Sequence, residues 1–221
     1  MDLILILVIV IIPLIAQARI NSTYNKYSEI NNSVNMTGRE VAKKILEKNG
    51  ISYVKINKTY GRLSDHYNPK TKMVNLSEDI YEGNSIAAIS VAAHECGHAI
   101  QDKEAYSFLR FRSAMVPVVN FTSRISTILL FISIILGFLD LLYIAAILMI
   151  GSLAFQFITL PVEYNASARA KKQLEELGFA EKKDKKGIEK VLGAAALTYV
   201  ASFLATAANV LRLLLISRNR R

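Results

Sequence analysis

The sequence predicts an α+β domain combined with about four membrane-crossing helices, from three observations. First, 52% of the 221 residues are hydrophobic and mean hydropathy is +0.29, although 20% are charged. Apolar and polar stretches must therefore be segregated, as in a membrane protein with a soluble part. Second, nearly unbroken apolar runs occupy 3–16, 125–160 and 191–216. Third, the polar stretch 20–124 mixes helical spacing with period-two alternation.

The first run, 3–16, is interrupted only by Pro13. Ala16, Gln17 and Ala18 resemble a signal-peptidase site, but the residues before the run include Asp2 and no Lys or Arg. Positive charge follows the run at Arg19 and Lys26, which places the next segment in the cytoplasm. Residues 1–19 are accordingly expected to be an uncleaved transmembrane anchor.

The domain at 20–124 is expected to be cytoplasmic. Thr37 and Glu40 form a capping box, and Val41, Ala42, Ile45 and Leu46 follow at helical spacing until Gly50. Residues 51–56 alternate like a strand, and a turn at Asn68 and Pro69 suggests a hairpin ending in residues 73–76. Ser77 and Ser85 can each cap a helix, the second of these being Ala-rich and spanning about 85–102.

Residues 125–160 would make a helix roughly 54 Å long, against a hydrocarbon core of about 30 Å. A hairpin of two crossings turning near Gly137 and Asp140 fits better. A helix and charged segment at 161–190 follow, then an apolar helix with a basic tail at 191–221. The formal charge of +9 suits a surface on an anionic leaflet, because the basic residues alternate with acids and flank the apolar runs. Membrane lipids are thus expected partners and nucleic acid is not. Cys96 is the single cysteine, so no intramolecular disulfide exists, and the Asn-X-Ser/Thr triplets at Asn21, Asn57 and Asn75 read as coincidental.

The chemistry lies at 94–98. His94 and His98 are four apart on the expected helix, hence on one face and able to hold a single Zn²⁺. Glu95 follows the first histidine, where it can act as general base toward a water acidified by the ion. Catalytic zinc needs a third protein ligand and an open position. Glu104 lies where a third histidine would follow a turn-making glycine, but Gln101 replaces that glycine. Asp102 faces away from the pair, and His66 is the one other histidine. Glu163, just after Pro161 at an expected helix start, completes a His₂Glu set most simply. It can meet the histidines only if an even number of crossings separates them.

Three segments carry a resemblance: DHYNP at 65–69, SIAAISVAAHECGHAIQ at 85–101 and LPVEYNAS at 160–167. They strongly resemble the YugP-type neutral zinc metallopeptidases, bacterial membrane proteins, and the likeness extends to TYVA at 198–201. HtpX-type membrane proteases are similar more distantly. The resemblance implies a zincin-like metalloprotease domain with one catalytic Zn²⁺ on His94, His98 and Glu163, Glu95 as base, and protein or peptide substrates. It also implies the bacterial cytoplasmic membrane, with the site on its cytoplasmic side. Cys96 and Asn165 depart from the family pattern, where an aliphatic residue and Asp are common. Cys96 is expected to pack in the core, and Asn165 to orient a ligand without charge. His66, beside Tyr67 on the strand before the helix, could stabilise an oxyanion, with Tyr164 and Tyr199 as weaker candidates. The competing reading is a non-catalytic zinc-binding membrane scaffold, which should close the fourth zinc position with Cys or His.

Overall fold

The computed structural model describes residues 2–219 and is mostly helical, with one three-stranded sheet. In chain order the elements are α1 (Asp2–Ser28), α2 (Gly38–Lys48), β1 (Lys55–Thr59), β2 (His66–Asn68), β3 (Met73–Ser77), α3 (Glu78–Tyr81), α4 (Ile86–Lys103), α5 (Ser107–Leu136), α6 (Leu139–Glu176) and α7 (Lys182–Asn219). They divide into two units. One contains Arg110–Pro161 with the N-terminal part of α1 and the C-terminal part of α7; the other contains Ala18–Leu109 and Val162–Ala196.

In the second unit α2 starts at the capping box: Glu40 N–H donates to Thr37 Oγ1 at 3.2 Å, and Thr37 N–H donates to the Glu40 carboxylate at 2.8 Å. Its apolar stripe of Val41, Ala42, Ile45 and Leu46 is buried, and it packs with the alanines of α4 in one core. Gly50, at φ +65°, ends the turn.

The first strand lies later than the alternation suggests. Ile51 N–H closes back on Leu46 O at 2.9 Å and Val54 N–H on Ile51 O at 2.9 Å, so residues 51–54 make a turn and β1 begins at Lys55. β1 pairs parallel with β3, whereas β2 and β3 form the expected antiparallel hairpin, giving the order β1-β3-β2. Asn68 Oδ1 accepts from the Lys70 and Thr71 amides and so holds that turn. Ser85 caps α4, accepting from Ala88 N–H at 3.1 Å. Ser77 makes no cap bond, because its hydroxyl donates to Asp65 instead.

In the first unit α5 and α6 are separated by Gly137, at φ +74°, and Phe138. The Ser123 and Ser152 hydroxyls lie 2.8 Å apart, and Ser126 donates to Ala145 O at 3.0 Å, so their polar atoms are satisfied between helices. Side chains such as Ile134, Ile135 and Phe157 are exposed, a surface suited to lipid. Among the described residues four helices are long and apolar enough to cross a membrane: Leu3–Ser28, Ser107–Leu136, Asp140–Glu176 and Lys182–Arg218.

Three expectations about these helices are corrected. Residue 125, expected to open a crossing, lies well inside α5. Pro161 does not start a helix; it lies inside α6, which continues despite the one amide hydrogen bond that proline removes. The charged residues 182–190 are not a separate segment, since strong helix formers carry α7 through them. Replacing Thr37 by Ala should lower stability by about 1 kcal/mol, read as an earlier thermal unfolding transition in detergent by circular dichroism.

Candidate metal centre

α4 can bury most of its circumference because alanine dominates it: Ala87, Ala88, Ala92, Ala93 and Ala99 are all at most 2% exposed. Small side chains also let a second helix come close. A Cβ added at Gly97 would lie 2.5 Å from Ala166 O, so the α4 and α6 backbones touch there. On α6 the residues Glu163, Ala166, Ala170 and Leu174 repeat at helical spacing and are buried along one face.

This contact sets Glu163 against the histidine pair. Glu163 Oε2 lies 3.2 Å from His94 Nε2 and 3.6 Å from His98 Nε2. The two imidazoles stand edge to face, with centroids 4.8 Å apart and planes at 85°. One ligand atom from each of the three residues lies within 4.8 Å of the others, a group that could hold a metal ion. A tetrahedral ion with bonds of about 2.1 Å separates its ligand atoms by about 3.4 Å, and the two measured separations bracket that value.

The hydrogen bonds behind the ligands fit a metal as well. Gln101 is fully buried, and its Nε2 donates to Val162 O at 2.8 Å and Asn165 Oδ1 at 2.9 Å. Its Oε1 therefore faces His98 Nδ1 at 2.9 Å, which must be the donor. His98 Nε2 is thereby turned toward the Glu163 carboxylate, where the two can share a metal ion. His94 Nδ1 lies 3.1 Å from Ser167 Oγ, a hydroxyl that can accept from it.

Glu95 is 7% exposed on the same helix, and burial pushes its carboxyl up to about 7. A divalent cation nearby would draw that value down again. Tyr67 is tied to α4 by its hydroxyl, which donates to Asp102 Oδ2 at 2.6 Å; Lys72 approaches the same oxygen at 2.5 Å. Asp102 is thus occupied away from the ligands.

Other residues weighed from the sequence are placed elsewhere. His66 is exposed; its Nδ1 faces Ser64 O at 2.8 Å and its Nε2 faces Asn75 Nδ2 at 3.2 Å, so it is not gathered with the metal group. Glu104 pairs with Arg169 at 2.7 Å. Cys96 is buried toward α2, 3.7 Å from Ala42 O, with its thiol pushed up by burial. Tyr164 is 54% exposed, and Tyr199 belongs to the first unit. Asn165 does not touch a ligand directly: its Oδ1 accepts from Gln101 and from Arg169 Nε at 2.7 Å.

Residues 2–218 match the family described as "Putative neutral zinc metallopeptidase". The chain belongs to this family. It is also 45% identical over 206 residues to the "Putative membrane protease YugP" of Bacillus subtilis (strain 168), covering 93% of this chain and 92% of that protein. No solved structure matches. A zinc peptidase family implies zinc, and the His94, His98 and Glu163 donor set has the chemistry to take it.

Sequence reasoning overlooked Gln101, Ser167 and Gly97. Gln101 is one turn beyond His98, and Ser167 one turn beyond Glu163, so the i+3 and i+4 positions after each ligand were the available signal. Gln101→Leu should weaken zinc binding by about 10- to 100-fold while the fold survives, checked by competition with a chromogenic chelator. Gly97→Ala should remove zinc, whereas Cys96→Ala keeps it, as measured by metal analysis of the purified variants.

Proposed function

We propose that the chain is a membrane-embedded zinc-dependent endopeptidase with Glu95 as general base. The convergence of His94, His98 and Glu163, with buried Glu95 beside them, carries the reading. The family description and the name "membrane protease" of the relative support it. The site would lie on the cytoplasmic face of a bacterial membrane, since basic residues follow the first apolar run. The helices on either side of Gly137 would then cross and return, bringing Glu163 back to the face that carries α4.

When bound to the two imidazoles and the carboxylate, zinc supplies a Lewis acid that polarises a carbonyl and acidifies water. The protein groups divide the remaining work. Gln101 and Ser167 hold the imidazoles by Nδ1 and leave Nε2 for the ion. Glu95 takes the proton of the attacking water and passes it to the leaving amine nitrogen. The phenol of Tyr67 anchors β2 to α4. β2 is an outer strand of the sheet, next to α4. His66 is not needed for this sequence, because both of its ring nitrogens are already engaged.

Glu95→Gln should keep zinc and lose cleavage of unfolded casein by about 10²-fold or more. Cleavage retained in that variant removes the general-base role, and absence of zinc from both proteins removes the peptidase reading. His66→Ala should leave cleavage largely intact; a loss as deep as that of Glu95→Gln would return His66 to the oxyanion role.

A further inference from the structure

Between Arg112 and the end of α5 at Leu136, Arg124 is the one charged residue, and it lies twelve residues, or about 18 Å of helix, from each. It points away from α6. Ser123 and Ser126 face that helix, through the Ser152 hydroxyl and Ala145 O, and Arg124 stands about 200° around α5 from Ser126. Asn120, one turn before Arg124, shares its face, and both are exposed. Neither polar side chain has a hydrogen bond or ion pair among the described residues. Around them Phe121, Ile128 and Phe131 are each more than half exposed.

With α5 across a membrane, this patch sits midway through the hydrocarbon. A guanidinium stays charged there and is costly without a counter-charge. Snorkelling to a lipid headgroup does not supply one, because about 18 Å of helix separates Arg124 from either flank, well beyond the span of its side chain. A second copy of the chain does not supply one either. The apolar stretches 3–16, 141–160 and 197–216 hold no Asp or Glu, and two copies of this face would set Arg124 against Arg124. A carboxylate inside another transmembrane segment meets both needs: it pairs with the guanidinium through two hydrogen bonds, and the Asn120 amide can donate beside it.

We propose that Asn120 and Arg124 form a docking surface for a transmembrane helix of another protein, one that carries Asp or Glu near the middle of its span. The exposed Phe121, Ile128 and Phe131 give that helix an apolar face to pack on. The proposal rests on α5 crossing the membrane and not on the peptidase chemistry.

The test reconstitutes the full-length chain in phosphatidylcholine vesicles, with a donor dye on exposed Lys43→Cys, since the native Cys96 is buried. The probe is an acceptor-labelled synthetic polyleucine helix of about 20 residues with one central Glu, set against its Gln counterpart. Energy transfer should favour the Glu helix. Arg124→Leu should weaken that binding about tenfold or more, and Asn120→Leu by less, while zinc content and thermal unfolding stay unchanged. Equal transfer to the two helices, or undiminished transfer with Arg124→Leu, overturns the proposal. Phosphatidylglycerol held in an Arg124-dependent way, seen by native mass spectrometry, with no preference for the Glu helix assigns the patch to anionic lipid and overturns the helix assignment. Transfer between donor- and acceptor-labelled copies that Arg124→Leu abolishes, again with no preference for the Glu helix, assigns it to a second copy and does the same. In intact cells an impermeant maleimide should label Phe138→Cys and spare Ser107→Cys. Labelling of both, or of neither, removes the crossing and the proposal with it, and leaves the peptidase reading to the Glu95→Gln result.

Discussion

The candidate site depends first on how closely the backbones of α4 and α6 approach. Glutamate and histidine side chains are short, and three of them converge on one point only where the helices nearly touch. Gly97 makes that possible, because any Cβ there would strike Ala166 O. Ala166 and Ala170 on α6 and Ala93 on α4 are small and fully buried. Packing of this kind resists deformation, so the ligand separations are set by the core and not by flexible side chains.

The second constraint is polar satisfaction within that apolar setting. Gln101 has both ends committed: its amide nitrogen to Val162 O and Asn165, its oxygen to His98. Asn165 in turn accepts from Arg169, and Arg169 pairs with Glu104. A fully connected network of this sort is rigid, and it fixes the His98 tautomer without a carboxylate partner. The neutral Asn at 165 is thereby explained. Its oxygen has two donors to serve, and the charge of Arg169 is already balanced.

What was legible in the sequence was local. The Thr37 and Glu40 box, the Ser85 cap and the four-residue spacing of His94 and His98 each depend on neighbours within one turn. Four apolar helices also follow from composition, as does the pairing of residues 66–68 with 73–75. The parallel partner of β1 did not follow, because it is set by tertiary pairing between separated strands. Pro161 misled in the same way: locally it reads as a helix start, but the long apolar α6 continues through it. Gln101 reads locally as the wrong residue for a ligand-bearing turn, and its role depends on Val162 and Asn165 of α6 as acceptors. Glu163 was reached by elimination and family resemblance, and its placement against the histidines depends on the Gly97 contact that no spacing rule reveals.

X-ray absorption at the zinc edge of the zinc-loaded protein tests the central claim most directly. The account predicts a shell of nitrogen and oxygen donors at about 2.0–2.2 Å, with imidazole scattering from two histidines and no sulfur. A sulfur donor at about 2.3 Å would bring Cys96 into the site, and a first shell without imidazole would remove His94 and His98 from it; either result would contradict the account.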